Sequence, residues 1–225
     1  KSKKKNKSLN ITRYSEETVV NLLGKIDLKK EFKGLYNPSE KEVAIVEVPN
    51  MNFLMIDGSG DPNTSQEYLD AIDALFSLSY TLKFNIKKSN TVDYAVMPLE
   101  GLWWADDMSK FNEDKDAWKW TCMIMQPKAV TADSVAKALK ELKEKRNCRA
   151  RARLPALSKI RFESFHEGSS AQIMYFGPFL DEGPTIQKIH EFIRKNECTL
   201  TGKHHEIYLS DSRRVAPEKL KTVLR

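Results

Sequence analysis

A carboxylate in the middle of an apolar, aromatic run is the residue most able to do chemistry in this chain. It is Glu206, in His204-His205-Glu206-Ile207-Tyr208-Leu209. As a strand, this run alternates faces. Ile207 and Leu209 then point into a core, and His204, Glu206 and Tyr208 share the other face. An unpaired buried charge is costly, so Glu206 must be solvated, paired or kept for a ligand. As a ligand group it would neutralise a cation. As a general base it would take a proton from an attacking water. A neighbouring Tyr175 or Tyr208 hydroxyl would hold that water or donate to the developing oxyanion. The plainer reading pairs Glu206 with a lysine or arginine across strands. Glu182, in Asp181-Glu182-Gly183-Pro184, is the second candidate carboxylate, either a cleft partner or a charge favouring a helix N-terminus.

Aromatic rings supply the binding candidates: Trp103, Trp104, Trp118, Trp120, Tyr80, Tyr175 and Tyr208, with Glu100 beside the tryptophan pair. Flat conjugated ligands stack on such rings, and cations sit over their faces. Adjacent Trp103 and Trp104 face opposite ways in a strand, so one of them lines a given face. Neither a metal nor a cofactor is expected. His204 and His205 diverge, and with His190 and Cys198 they match no zinc spacing. Gly58-Ser59-Gly60 lacks the Lys-Ser/Thr of a phosphate loop and reads as a turn.

The elements that position these groups follow from periodicity. Strands are expected at Val43–Val48, Phe53–Asp57, Val92–Met97, Leu99–Trp104, Trp118–Met125, Ile160–His166, Gln172–Phe176 and the Glu206 run. Glu167-Gly168-Ser169 joins two of them. Helices are expected from Ser15 to Leu23, after a cap at Thr64 or Ser65, after Thr131 or Asp133, from Pro184 or Thr185, and from Pro217 with Leu220 and Val223 inward, while the Asp27–Tyr36 stretch is charged and amphipathic. Two junctions overlay: Met55-Ile56-Asp57-Gly58 on Met174-Tyr175-Phe176-Gly177, and Met123-Ile124-Met125-Gln126 on Ile207-Tyr208-Leu209-Ser210. The second overlay makes Cys122 the counterpart of Glu206. The fold class expected is α+β: duplicated strand-helix-strand-strand repeats, an antiparallel sheet backed by helices, and a ligand cleft between the halves.

Composition bounds the rest. The chain has 225 residues and a formal net charge of +6. Five of the first seven residues are lysines, and a second basic cluster runs from Lys143 to Arg153. Elsewhere Lys and Glu are interspersed, and no zinc-finger or RNP-like motif accompanies the charge, which argues against a nucleic-acid partner. No apolar run approaches the ~20 residues of a membrane span. No secretory signal is visible, and three scattered cysteines argue against a disulfide framework, so a cytoplasmic location is expected.

Met55-Ile56-Asp57-Gly58-Ser59-Gly60-Asp61-Pro62-Asn63, Pro98-Leu99-Glu100-Gly101-Leu102-Trp103-Trp104, Tyr175-Phe176-Gly177-Pro178-Phe179, Lys203 to Asp211 and Arg213 to Leu220 together resemble the GyrI-like small-molecule-binding family. The resemblance runs from about Asp27 to the C-terminus. It implies a basic extension over residues 1–26 and a single domain over 27–225, with halves at about 41–127 and 128–225. It also implies a ligand cleft in which a glutamate within an aromatic cage meets flat, often cationic drugs. Stand-alone members of the branch resembled are linked to hydrolysis of cyclopropane-bearing DNA-alkylating natural products. No helix-turn-helix pattern precedes the domain, so a stand-alone member is expected, with a small hydrophobic aromatic ligand as its partner. A non-catalytic drug-binding or sequestering module is the alternative, and a gyrase-inhibitor role with DNA gyrase as partner is a third.

Overall fold

The computed structural model describes residues 25–89, 92–108, 111, 113–144 and 155–225. The expected Ser15–Leu23 helix and most of the Lys143–Arg153 cluster lie outside them. In chain order the elements are β1 (Lys25–Ile26), α1 (Leu28–Glu31), α2 (Lys33–Tyr36), β2 (Ala44–Val48), β3 (Met51–Ser59), α3 (Gln66–Lys88), β4 (Asp93–Tyr94), β5 (Leu99–Trp104), β6 (Lys119–Gln126), α4 (Ala132–Glu144), β7 (Arg161–Phe165), β8 (Gly168–Phe176), α5 (Gly183–Lys195), β9 (His204–Tyr208) and β10 (Lys221–Leu224). The chemistry of the caps sets the helix starts. Ser65 accepts a hydrogen bond from the Tyr68 N–H at the head of α3, and the Thr131 hydroxyl accepts from the Ser134 N–H ahead of α4.

Eight strands form one sheet in the order β2-β8-β10-β9-β5-β6-β3-β7. The expected duplication is visible in that order. Each half contributes a strand, a helix and two further strands: β3-α3-β5-β6, then β8-α5-β9-β10. Within each half the last strand lies between the other two, and the halves meet along β5 and β9. Each half also has a leading strand, and these are exchanged. β2 pairs with β8, and β7 pairs with β3. Only Pro49 and Asn50 link β2 to β3, and only His166 and Glu167 link β7 to β8. Two residues reach roughly 10 Å, so the sheet must curl until its edges come close.

Three expectations are corrected. First, Lys221–Leu224 is a strand, not part of a last helix; a 3-10 turn at Pro217–Lys219 precedes it. A four-residue apolar run is ambiguous by periodicity. The open slot between β8 and β9, which Thr222 and Val223 fill on both sides, decides for the strand. Second, His166 and Glu167 rather than Glu167-Gly168-Ser169 join β7 to β8, because Gly168 and Ser169 already pair with Val48 and Glu47 as part of β8. Third, the counterpart of β6 is therefore β10 and that of β9 is β5, so Cys122 is not the symmetry mate of Glu206. The Met55/Met174 overlay, β3 upon β8, agrees with the observed order. In addition, Val92–Met97 forms a strand only at Asp93–Tyr94, paired in parallel with β1.

Strand alternation gives the sheet two different faces. On one lie the helices α3 and α5, with Ile189 of α5 packed on Ile173 and Leu224. The other holds Phe53, Met55, Met123, Ile207, Val223 and Met174 in the core. A charged network crosses that second face. The Tyr36 hydroxyl donates to Glu100 Oε1 at 2.7 Å, and Glu100 Oε2 meets His205 Nε2 at 3.1 Å. His205 Nδ1 lies 3.0 Å from Glu167, whose Oε2 accepts from Arg225 Nη1 at 2.9 Å. Arg225 also donates to Gln172 and to the Leu35 carbonyl, which ties down α2. Burial alone would lower the His205 pKa, but the charge of Glu167 and the hydrogen bond to Glu100 raise it to about 9. Burial alone would raise Glu167, but His205 and Arg225 bring it down to about 2. Among the described residues no helix is long and apolar enough to cross a membrane.

The network sets a pH dependence. His205 carries a raised pKa, so its contribution is complete below the ordinary histidine value and lost as pH rises through about 9. A His205→Gln variant is expected to lose about 3 kcal/mol of stability near pH 6, because it leaves two carboxylates short of their shared cation. Urea unfolding across pH checks this: the wild-type advantage should shrink above pH ~9. An advantage independent of pH would contradict it.

Candidate functional site

The seam where β5 meets β9 carries the candidate site. Gly101 of β5 is registered with Glu206 on one side and with Cys122 of β6 on the other. Registered neighbours point to the same face. Glu206, Gly101 and Cys122 thus form a row on the helix-covered face, with His204, Trp103 and Trp120 as the parallel row beside it. This face lies between α3 and α5, so the cleft sits between the two halves. Carboxylate, sulfur and indole are neighbours on this face, with Cys122 and Trp120 fully buried beneath it, even though Cys122 is not the symmetry mate of Glu206.

A glycine at 101 has a local reason. A Cβ there would lie 2.7 Å from Trp103 Nε1 and 3.1 Å from the Tyr208 hydroxyl. Without it, Trp103 Nε1 donates to Tyr208 Oη at 3.0 Å across the strand. Tyr208 in turn faces Glu206, and burial followed by that charge pushes its pKa well above the ordinary phenol value. The aromatic wall continues without a break. Trp103 packs edge-on against Trp118 at 5.6 Å, and Trp118 stacks on Phe111 at 4.3 Å. Tyr68 of α3 touches both Trp103 and Trp120. Gly58 lets Trp120 lie flat, since a Cβ there would meet its ring at 2.2 Å.

Two carboxylates converge above this floor. Glu206 meets His204 Nε2 at 3.1 Å, and among the described residues no lysine or arginine forms an ion pair with it. Its side chain is 15% exposed, enough for a water to reach it. Glu182 arrives from the start of α5 and makes no capping bond with its side chain, so the cleft rather than the helix end receives it. One ligand atom from each of Glu182, His204 and Glu206 lies within 4.8 Å of the other two. Two charges at that separation repel by roughly 3 kcal/mol at an effective dielectric of ~20. Burial, then the charge of Glu206, pushes the Glu182 pKa up to about 9, so this carboxyl holds its proton far more tightly than a free one. The Thr222 hydroxyl lies close enough to offset part of this. Yet neither Thr222 Oγ1 nor Glu182 Oε1, both buried, makes a well-formed hydrogen bond.

The remaining candidates fall in different places. Tyr175 is beside Glu182, and its hydroxyl donates to the Pro178 carbonyl at 2.9 Å, which fixes the turn before α5. That turn carries Phe179, whose ring packs edge-on against Tyr208 at 5.6 Å and covers it. Glu100 is buried on the opposite face in the His205 network, away from Glu206. Trp104 also alternates away, and the Lys203 ammonium sits 3.2 Å over its ring. Tyr80 is exposed on α3 between Phe76 and Phe84. The residues that sequence reasoning missed are Tyr68, His204 as a partner of Glu206, Thr222 and Phe179. The spacing of His204 and Glu206 on one strand face was a signal for the second of these. A cavity of about 410 Å³ beside β8 and α5, lined by Lys41, Ile173, Phe176 and Lys188 among others, meets the site only at Tyr175.

Comparisons with known proteins agree with this arrangement. The model of a family described as a GyrI-like small molecule binding domain matches residues 41–224. Among curated proteins no sequence matches the chain. Three solved structures from Listeria innocua resemble it over nearly its whole length. An uncharacterized conserved protein is 38% identical, covers 88% of this chain and 97% of its own, and has a TM-score of 0.77. A protein described as a hydrolase is 37% identical over 89% of this chain and 98% of its own, with a TM-score of 0.76. Another described as a hydrolase is 36% identical over 88% and 97%, with a TM-score of 0.74.

The Gly101 contact is testable. Gly101→Ala is expected to separate Trp103 from Tyr208 and to weaken stacking of a flat aromatic probe at least tenfold. It should cost about 1–3 kcal/mol of stability by overpacking. Tryptophan fluorescence titration against thermal melts checks both effects; unchanged probe binding would refute the role of this contact.

Proposed function

Because the chain belongs to the GyrI-like small-molecule-binding family, we propose that its cleft binds flat, hydrophobic and aromatic ligands and hydrolyses those that carry a reactive cyclopropane. The observation that carries the reading is Glu206, within reach of water and without a lysine or arginine partner among the described residues, beside Glu182, whose pKa burial and the charge of Glu206 raise to about 9. Two carboxylates whose environments push their protons apart can act as base and acid in one step. The two Listeria innocua relatives described as hydrolases, at 36% and 37% identity, support the catalytic form.

The proposed step is an addition of water. The half-buried rings of Tyr68 and Tyr208, backed by the buried indoles of Trp103 and Trp120, hold the conjugated ring system, and Phe179 closes over it. Glu206 takes a proton from water as the oxygen bonds to a cyclopropane carbon. The strained C–C bond breaks, and its electron pair passes into the conjugated carbonyl. Glu182 delivers the proton that this oxygen needs, so water is added and nothing leaves. A strained conjugated ring is already electrophilic, so positioning water and base supplies most of what is required. His204 fixes the orientation of the Glu206 carboxylate, and Tyr208 bonds to it.

Glu206→Gln should retain binding of a flat ligand within about threefold and reduce turnover by at least 10²-fold, the usual scale of a general base. Incubation with a cyclopropane-bearing alkylator, followed by mass spectrometry for the water adduct, measures turnover. Adduct formation at the wild-type rate by the variant would overturn the role of Glu206. A ligand bound unchanged by the wild type would favour a sequestering or sensing module instead.

A further inference from the structure

His204, Glu206 and Glu182 form a donor set of one imidazole and two carboxylates, gathered from β9 and the first residue ahead of α5. The two β9 residues stand two apart and so share a face. Glu182 is anchored by its own backbone, since its carbonyl accepts from the N–H groups of Thr185 and Ile186 at 2.9 and 3.0 Å. A second observation points to a ligand. Glu182 Oε1 and Thr222 Oγ1 are buried side by side next to this cluster and, among the described residues, neither makes a well-formed hydrogen bond, although Glu182 is only 4% and Thr222 only 1% exposed. A buried polar atom left in this state calls for an explanation, and a bound ion is one.

We propose that Glu182, His204 and Glu206 bind one divalent first-row transition-metal ion, zinc by preference, within the cleft. Mixed nitrogen and carboxylate donors suit zinc, cobalt or manganese better than calcium, which takes six to eight oxygens. Zinc–donor bonds of ~2.0–2.2 Å put tetrahedral donor atoms roughly 3.4 Å apart. The present separations are all within 4.8 Å, so the donors would draw together by at most roughly 1.4 Å. The ion's charge balances the two carboxylates, and three protein donors leave a fourth position for water or a ligand heteroatom. The ion would occupy the lone pairs that Glu206 needs as a base, so metal binding and base catalysis exclude one another. The site itself stands without the hydrolytic reading; only that inhibition rests on it.

The test uses the full chain, stripped with a chelator and titrated with Zn²⁺ and with Co²⁺ by calorimetry and absorption. One ion per chain at micromolar affinity or better is expected, with Glu182→Gln and His204→Gln each weakening it at least tenfold. Co²⁺ should give the visible bands of a four- or five-coordinate nitrogen and oxygen site. Thermal melts of both variants separate lost ligands from lost folding. Affinity unchanged in folded variants, or a thiolate band from exposed Cys198, would mean an adventitious ion only and overturn the proposal. So would the absence of micromolar binding. With a cyclopropane substrate, inhibition by bound Zn²⁺ is expected. Acceleration would support the ion site while overturning Glu206 as a free base, so the two readings fail separately.

Discussion

The structure depends on the alternation of a single short strand at the seam of its two halves. β9 has five residues, and they hold charges on both faces. His205 points to one face, where Glu100, Glu167 and Arg225 surround it; His204, Glu206 and Tyr208 point to the other. A slip of one residue would exchange these sets. It would drive Glu206 into the network that requires a cation and turn His205 toward the cleft. The paired network therefore fixes the register of the strand that carries the site. The charged network and the candidate site thus share one backbone, from opposite sides of the sheet.

The exchange of leading strands is the second constraint. β2 and β7 each complete the sheet of the other half, so neither half has a closed edge of its own. The cleft is thereby held between two repeats that cannot separate without breaking strand pairs. On that rigid floor, Gly101 and Gly58 are the points where an absent side chain lets indoles lie against the sheet. Phe179 and its turn are held over this seam by the Tyr175 hydroxyl and the Asp181 N–H on the Pro178 carbonyl and by the Gly177 N–H on the Leu220 carbonyl.

Much of this was legible in the sequence, for physical reasons that can be named. Period-two alternation gave the faces of β9 correctly, and a carboxylate in an apolar strand drew attention to Glu206. The repeat was visible because β3 and β8 keep similar residues at similar positions. β10 was not legible, since four residues after a proline turn carry no period, and only the slot between β8 and β9 makes them a strand. Missing it misaligned Cys122 with Glu206. Glu100 looked like a cleft residue because it adjoins the tryptophans in sequence. Adjacency in a strand means opposite faces, and its true partners, Tyr36 and His205, are 64 and 105 residues away. The trio of Glu182, His204 and Glu206 spans a helix start and a strand, so no local motif announces it.

The account's central claim is electrostatic: two neighbouring carboxylates share the cleft, one ionised and one protonated, at neutral pH. Infrared difference spectroscopy of the metal-free protein measures this directly, by comparing wild type with Glu182→Gln and with Glu206→Gln. The account predicts a protonated-carboxyl stretch at pH 7 that the Glu182→Gln variant lacks. A wild-type spectrum without that band, or a band that survives in Glu182→Gln and vanishes in Glu206→Gln, would contradict it.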